Sequence, residues 1–259
     1  MMRPLAMCQR CLVEPSVALG TLLTGSAGAV EGTSSLDLAE YTEEILRSGF
    51  PGIRDLPPRA RRIQLASYVA RVVDRDLDEG GAVVRRPEAL MGWLTAYAAA
   101  TGTTASYNQI LDAATAGEGD KPARQTVAGY REHLVRLFVL DPLPAWVPSL
   151  SPLQRLVASP KHHLVDPALA TVLVGVGRDA LLKGEGDRLE VSDGTLLGSL
   201  FESLATLTVR VLAQAAEARV YHLRTRGGER EIDLIVEGPD RRVVACEVKL
   251  SASVTDSLI

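Results

Sequence analysis

The sequence predicts an α+β protein in which helices come first and a mixed sheet follows near the C-terminus. Apolar residues recur at helical spacing through much of the chain before residue 216, and short runs of alternating apolar and polar residues follow from residue 219. Aromatic residues make up only 4% of the chain, so Ala, Leu and Val supply most of the hydrophobicity. This composition favours helices over an all-β sandwich, and we expect three parts, at residues 1–80, 81–150 and 151–259.

Composition limits the classes of function. The chain has 259 residues, of which 46% are hydrophobic, so it has ample material for a core. Its net charge of −4 argues against strong non-specific affinity for nucleic acid, although a local basic patch would still allow it. No run of about 18 apolar residues occurs, so we expect no membrane span. Three cysteines, an odd number, indicate a reducing compartment, and we predict a cytoplasmic location.

The first part, residues 1–80, is predicted to be a helical linker segment. Residues 1–35 have the composition of a loop, and Ser34 or Ser35 is expected to cap a helix in "LDLAEYTEEILRSG". A second helix is expected to start near Pro57-Pro58 and to end at Gly80-Gly81. Its predicted apolar stripe consists of Ile63, Leu65, Ala66, Val69, Val72, Val73 and Leu77.

The second part, residues 81–150, is predicted to be a winged-helix-like domain. Three helices are expected, in "PEALMGWLTAYAAATG", "SYNQILDAATAG" and "ARQTVAGYREHLVRLFVL", before a proline-rich exit. The third would be the recognition helix, offering Arg124, Gln125 and Arg131 to nucleic acid. The alternative is that these residues form a solvated face on a protein-interaction winged helix, and the acidic net charge favours this alternative.

The third part, residues 151–259, is predicted to be an α/β domain. A helix is expected after Asp166-Pro167, and His162 and His163 point to opposite faces of a short strand, which favours a structural or surface role over a metal site. "DGTLLGSLFESLATLTVRVLAQAAEA" is expected to be a long amphipathic helix with Glu202 at the edge of its apolar stripe. Three strands are expected after it, in "RVYHLRT", "EIDLIVE" and "RRVVACEVKL".

The last two strands carry the candidate chemistry. Residues two apart share a face of a strand, so Glu231 and Asp233 point one way on the first strand, and Glu247 and Lys249 point one way on the second. Two carboxylates and one lysine suit phosphodiester cleavage assisted by Mg²⁺, because oxygen ligands hold the ion and the ion lowers the pKa of a bound water. A lysine beside the ion can position that water or offset developing charge.

The length of the turn around Gly238-Pro239-Asp240 decides whether these groups meet. With a connection of two or four residues, Asp233 pairs with Cys246 and faces away from Glu247. With three or five residues, Asp233 lies directly opposite Glu247. The catalytic interpretation therefore predicts an odd-length turn or a bulge. The structural alternative is a solvated hairpin face with a weak ion pair between Glu231 and Lys249.

This arrangement resembles the PD-(D/E)xK nuclease-like superfamily, whose pattern is an acid on the first core helix, an Asp at a strand end, and E-x-K on the next strand. The matching positions here are Glu202, Asp233, Glu247 and Lys249. The resemblance implies metal binding by Asp233, Glu247 and the backbone carbonyl of Val248, with Lys249 assisting the nucleophilic water. It also implies a Mg²⁺ or Mn²⁺ cofactor and a partial nuclease-like mixed sheet.

The order of motifs over most of the chain is similar to the C-terminal half of prokaryotic AAA-type ATPases that carry a winged helix and an uncharacterised nuclease-like domain. The motifs are "SGFPGIRDL", "SYVARVVDRDL", "YREHLVRLFVLDPLPAW", "SPKHHLVDPALA", "GSLFES" and "EIDLIVE" followed by "CEVKLS". No G-x-x-x-x-G-K-S/T motif occurs, so we expect no ATP site within this chain. The resemblance implies a P-loop upstream of Met1 and further nuclease-like elements after residue 250, so that the chain would be a fragment.

Two functions follow as expectations. The first is Mg²⁺- or Mn²⁺-dependent phosphodiester hydrolysis by Asp233, Glu247 and Lys249, with Glu202 in support. The second is a non-catalytic module that couples an ATPase to a protein partner or to nucleic acid. Catalysis needs the carboxylates of Asp233 and Glu247 close enough to share one ion, with Lys249 beside them and the site open. A buried or splayed set of side chains favours the module.

Overall fold

The α+β class is confirmed by a computed structural model, in which many helices precede a small antiparallel sheet. The structure describes residues 2–77, 86–115, 124–147, 159–183, 190–191, 194–225 and 230–250.

The N-terminal segment is more structured than its loop-like composition predicts. It contains a 3₁₀ turn at Met7–Arg10 and helix α1 at Leu19–Thr24. Helix α2, Leu38–Arg47, begins three residues after the predicted cap. The backbone N–H of Glu40 donates a hydrogen bond to Oδ1 of Asp37 at 2.8 Å. The backbone N–H of Asp37 donates in turn to Oε2 of Glu40 at 2.8 Å. The predicted cap at Ser34 or Ser35 is therefore wrong, because the Asp–Glu pair satisfies two free N–H groups at once.

Helix α4 carries the second predicted helix, and a short helix α3, Pro51–Arg54, precedes it. Helix α4 spans Pro58–Arg71 and continues as a π-helical segment, Val72–Asp76. The predicted end at Gly80-Gly81 lies outside the described residues. Leu65 and Val69 are buried as predicted, but Ile63 is 54% exposed, which corrects the predicted apolar stripe. Two positions along a helix rotate a side chain by about 200°, so Ile63 faces away from Leu65.

The three helices of the predicted winged helix are present. They are α5, Pro87–Ala99, α6, Tyr107–Ala114, and α7, Arg124–Arg136. After α7 the chain forms isolated antiparallel bridges, Leu140 with Leu164 and Leu143 with Lys161. No pair of named strands follows α7 before residue 147 in the described part of the chain, so the winged helix stays a prediction.

The last part contains the predicted long helix and all three predicted strands. Helix α8, Pro167–Val174, has Asp166 as N-cap and proline at its first position, as predicted, and is followed by α9, Arg178–Leu181. Strands β1, Leu182–Lys183, and β2, Glu190–Val191, form a short antiparallel pair. The long helix is α10, Gly194–Ala215, and the remaining strands are β3, Arg219–Arg224, β4, Glu231–Glu237, and β5, Val243–Cys246.

The main sheet has the order β3-β4-β5, and its neighbouring strands are antiparallel. Parallel pairing is confined to one bridge between Ala145 and His222. There the N–H of His222 donates to the carbonyl of Pro144 at 3.0 Å, and the N–H of Trp146 donates to the carbonyl of His222. Among the described residues, the three-stranded sheet is therefore antiparallel rather than mixed as predicted, and this isolated bridge lies at the edge of β3.

Two hydrophobic clusters hold the elements together. The main cluster runs from Ile45 through Leu65 and Leu94 to Leu164 and Leu200, so it draws on all three predicted parts. The three boundaries stay predictions, but the parts share one core. A smaller cluster lies under the sheet and comprises Leu23, Leu143, Ala213, Val220, Leu234 and Val236.

One helix in the described ranges is long and apolar enough, by length and composition, to span a membrane. It covers Thr195–Ala215 of α10. Leu197, Leu200 and Leu204 of this helix are buried in the main cluster. Core packing accounts for this composition, because a helix buried in a protein interior needs the same apolar residues.

Candidate functional site

The turn between β4 and β5 has the odd length that the catalytic interpretation predicts. Glu237 pairs with Val243, so residues 238–242 connect the strands, and Leu234 pairs with Cys246. The N–H of Gly238 donates to the carbonyl of Arg242 at 2.9 Å and closes the turn. The odd length of the turn is confirmed, and extending this register by one residue, beyond the last observed pair, would place Asp233 opposite Glu247.

The two faces of the second strand are also as predicted. Cys246 and Val248 are half-buried against the small cluster, whereas Glu247 and Lys249 are exposed. Strand β5 ends at Cys246, before the Glu-Val-Lys segment. The N–H of Val248 donates instead to Oδ2 of Asp233 at 2.9 Å. Beyond the end of β5, the side chain of Asp233 thus replaces a backbone carbonyl as the hydrogen-bond acceptor between the two chain segments.

The centre of the site is a residue that the sequence analysis missed, Lys161. Its Nζ lies 2.8 Å from Oε1 of Glu202, 2.8 Å from Oε1 of Glu231 and 3.2 Å from Oδ1 of Asp233. The side chain of Lys161 is only 2% exposed. We call Lys161, Glu202, Glu231 and Asp233 the carboxylate cluster.

Backbone pairing fixes Lys161 in this position. Its N–H donates to the carbonyl of Leu143 at 2.9 Å, and the N–H of Leu143 donates to the carbonyl of Lys161 at 2.8 Å. Helix α10 supplies Glu202 from one side, and β4 supplies Glu231 and Asp233 from the other. Since residues two apart share a strand face, both β4 carboxylates reach the same ammonium group.

Burial and the contacts within the cluster shift the pKa values of Lys161, Glu202 and Glu231. Burial disfavours the charged form of Lys161, but the carboxylates, Glu202 foremost, outweigh burial and raise the pKa of this lysine. Burial raises the pKa of Glu202 to about 7, against the opposing effect of Lys161. Burial acts to raise the pKa of Glu231 too, but the hydrogen bond from Lys161 prevails and lowers it. Lys161 therefore stays protonated and serves as the internal counter-ion of the cluster.

Glu247 and Lys249 lie at the rim of the cluster. Burial raises the pKa of the Glu247 carboxyl, and the charge of Asp233 raises it further, which indicates that the two carboxylates are near each other. Lys249 lowers the same pKa. Among the described residues, no carboxylate lies within salt-bridge distance of the Lys249 ammonium. Of the predicted site, Glu202 and Asp233 meet at Lys161, whereas Glu247 and Lys249 remain outside that contact.

The arrangement does not fit the metal site that the resemblance implies. A divalent cation of this kind needs carboxylate oxygens that are free to coordinate it. Both oxygens of Asp233 are engaged, Oδ1 by the ammonium of Lys161 and Oδ2 by the N–H of Val248. Across the described ranges, no group of three or more His, Cys, Asp and Glu side chains is arranged to hold a metal ion. Metal binding by Asp233, Glu247 and Val248 stays a prediction.

The predicted nucleic-acid contacts lie on α7, away from the carboxylate cluster in sequence. Arg124 and Gln125 are exposed, as such a contact requires. The guanidinium carbon of Arg131, however, lies 4.0 Å from the centre of the Tyr107 ring. At this distance the pair forms a cation–π contact, so Arg131 has a structural partner within the helical unit.

The signal that could have revealed Lys161 lies in its neighbours. His162 and His163 beside it are buried, which bears out a structural role for both. Nε2 of His162 lies 2.6 Å from the carbonyl of Ala105. A lysine that adjoins a buried run is almost never buried without a charged partner. Such a position in "SPKHHLVD" therefore indicates an acid elsewhere in the chain, although not which one.

Comparisons with known protein families divide the chain into two regions. A model described as "Domain of unknown function (DUF8612)" matches residues 38–180. A second model, "Domain of unknown function (DUF4143)", matches residues 197–259, and this domain is found in proteins associated with AAA-type ATPases. No curated protein and no solved structure matches the chain. The first match contains Lys161 and the second contains the three acids of the carboxylate cluster.

Proposed function

The chain belongs to the family of the domain of unknown function DUF8612 and carries a DUF4143 region of the kind associated with AAA-type ATPases, and from this premise we propose that it is a non-catalytic interaction module. The module would couple an AAA-type ATPase to a protein partner. The observation that carries the proposal is the ammonium of Lys161, within 3.2 Å of three carboxylates.

The carboxylate cluster supports binding over hydrolysis because the ammonium of Lys161 already occupies the centre between its three carboxylates. One oxygen of Asp233 accepts from Lys161 and the other from Val248. A metal ion at Asp233 would have to bind beside the ammonium of Lys161, whose positive charge opposes it. A buried ion network that is satisfied from within holds its elements in one arrangement, and this suits a rigid surface for a partner.

Phosphodiester hydrolysis is the second candidate, and the register of the hairpin favours it. Asp233 lies opposite Glu247 by extension of the observed pairing, and Lys249 is exposed on the same face as Glu247. In this candidate the metal ion binds Asp233 against the repulsion of the nearby ammonium of Lys161, which also pairs with Glu202. It uses the chemistry that the nuclease-like resemblance implies, with Mg²⁺ or Mn²⁺ as the cofactor.

A cleavage assay separates the two candidates. Single- and double-stranded DNA and RNA are incubated with the protein and Mg²⁺ or Mn²⁺, using the Asp233→Asn and Lys249→Ala variants and Asp240→Asn as a matched control in the exposed turn. The interaction module expects no cleavage that depends on Asp233 and Lys249. Cleavage that both variants lose and the control keeps would establish hydrolysis and overturn the module.

Coupling to an ATPase needs its own measurement. Chemical crosslinking in the native cell, read by mass spectrometry, identifies the proteins that adjoin the chain. The proposal expects an AAA-type ATPase among them, and a change in its ATP turnover when the purified chain is added. An ATPase whose turnover is unchanged at saturating chain concentration, or the reproducible absence of any ATPase crosslink, counts against the proposal.

A further inference from the structure

A groove of about 670 Å³ lies between helix α4 and the C-terminal end of α8. A second depression of about 190 Å³ shares Arg62, Val172 and Val176 with it and extends to Arg178. We call the two together the α4–α8 groove, and its walls of interest are Arg59, Arg62, Ile63, Val172, Val176 and Arg178. The groove lies within residues 38–180, the region matched by the DUF8612 model, and it is separate from the carboxylate cluster.

The floor of the groove is apolar. Ile63 is 54% exposed, and Val172 and Val176 are half-buried. Helix α4 presents this face because Arg59, Arg62, Ile63 and Ala66 recur at spacings of three and four, opposite the buried stripe of the same helix. Solvent-exposed Ile63, next to Val172 and Val176, forms an apolar surface on which apolar side chains of another chain can pack.

The rim of the groove is positively charged. Arg59, Arg62 and Arg178 are exposed, and none of them has a hydrogen bond or an ion pair with another described residue. Arg61 behaves differently, because it is buried and pairs with Glu43 at 2.7 Å. Three unpaired guanidinium groups therefore adjoin one apolar floor in a chain whose net charge is −4. This local charge is opposite in sign to that of the whole chain.

We infer that the α4–α8 groove is a docking site for an acidic amphipathic segment of a protein partner. Apolar side chains of the segment would pack on Ile63, Val172 and Val176. Its Asp or Glu side chains would pair with Arg59, Arg62 and Arg178, since guanidinium groups bind carboxylates with two parallel hydrogen bonds. The inference rests on the proposed role as an interaction module and names the chemistry of the partner.

The groove suits a peptide segment better than nucleic acid. Its floor is aliphatic, whereas bases of single strands bind mainly by stacking on aromatic side chains. Its volume lies in the range that holds a few side chains. An amphipathic helix in an apolar groove binds through side chains three and four residues apart, which matches a groove that follows the axis of α4.

Fluorescence anisotropy tests the inference with a defined probe. The probe is a labelled 16-residue amphipathic peptide of Leu and Glu with Leu three and four residues apart, and its controls replace Glu by Gln or by Lys. The acidic peptide is expected to bind at least about tenfold more tightly than either control. Ile63→Asp and Arg62→Glu are each expected to weaken binding about tenfold or more, whereas Arg136→Glu, an exposed site on α7, changes it less than about twofold.

Several outcomes would overturn the inference. They are no binding of the acidic peptide at about 1 mM, equal binding of the three peptides, or binding that survives both groove substitutions. Binding of a labelled 20-nucleotide single strand that both substitutions abolish, without peptide binding, would assign the groove to nucleic acid instead. The helical circular dichroism of each variant checks that the fold is intact.

The same variants distinguish failure of this inference from failure of the proposed function. If Ile63→Asp leaves the ATPase crosslink and the ATP turnover unchanged, the module stands and the groove is not its docking site. If no ATPase is found but the acidic peptide still binds through the groove, the docking site stands and the coupling to an ATPase fails.

Discussion

Nζ of Lys161 lies 2.8 Å from Oε1 of Glu202, although the two residues are 41 positions apart in the sequence. The contact joins a residue matched by the DUF8612 model to one matched by the DUF4143 model. It therefore connects the two family regions through one buried ion pair.

Replacing Lys161 by Met tests the importance of this connection for stability. The change leaves Glu202, Glu231 and Asp233 without their common counter-ion in a partly buried site. We expect the free energy of unfolding to fall by about 3–5 kcal/mol, because an unpaired buried charge keeps its full desolvation cost. Urea denaturation measures the loss, with Lys249→Met, an exposed lysine, as the matched control. Equal effects of the two substitutions would contradict a structural role for the cluster.

The raised pKa of Glu202 predicts a pH dependence of stability. Its ordinary value is 4.5, and burial raises it to about 7 in the folded protein. Between these values the folded state holds a proton that the unfolded state has lost. Stability from this group is therefore greatest below pH 4.5 and declines as the pH rises to about 7.

The Glu202→Gln variant isolates this contribution, because Gln does not titrate. From pH 5 to pH 7 the wild-type stability should fall relative to that of the variant, by up to about 1.4 kcal/mol per pH unit. Urea denaturation at a series of pH values measures the difference. Parallel curves for the two proteins would mean that Glu202 has the same pKa in both states.

Replacing Asp166 is expected to destabilise the fold strongly. Unlike the carboxylate cluster, this site depends on hydrogen bonds and has no ion pair with a described residue. Asp166 is fully buried, and its Oδ2 accepts from Oγ of Ser48 at 2.8 Å and from the N–H of Gly49 at 2.7 Å. Its Oδ1 accepts from the N–H of Ala168 at 2.9 Å. Asp166→Asn turns an amide NH₂ toward at least one of these donors, and we expect a loss of about 2–4 kcal/mol.

The control for this change is Asp37→Asn, the same substitution at an exposed helix cap. Asn caps helices about as well as Asp, so the expected loss is below about 0.5 kcal/mol. Thermal and urea denaturation of both variants give the comparison. A tolerant Asp166→Asn variant would show that the three hydrogen bonds contribute little.

Alanine variants of Arg131 and Arg124 test whether Arg131 has a structural role in α7 and Arg124 lies only on the surface. Arg131→Ala removes the cation–π contact with Tyr107, and we expect a loss of about 0.5–1 kcal/mol. Arg124→Ala should leave stability unchanged, because Arg124 is exposed. If α7 binds nucleic acid, Arg124→Ala lowers the salt dependence of binding by about one counter-ion. Equal stability of the two variants would show that the ring contact is energetically neutral.

The elements of the fold could be predicted from the sequence wherever periodicity was strong. Helix α10 and strands β4 and β5 lie where their apolar spacing predicts, and the turn between the strands has the odd length that the catalytic interpretation requires. Ile63 was misplaced because a single isoleucine between polar residues, Arg62 and Gln64, fits two helix faces equally well. Lys161 was missed because its neighbours indicate a buried lysine but do not identify the acids, 41 to 72 positions away, that pair with it.

Helix α10 also connects the two hydrophobic clusters. Its 22 residues span about 33 Å, with Leu200 in the main cluster and Ala213 in the cluster under the sheet. Glu202 lies between these two ends. The contact of Glu202 with Lys161 therefore anchors this helix to the chain segment that precedes α8, at a point between the two clusters.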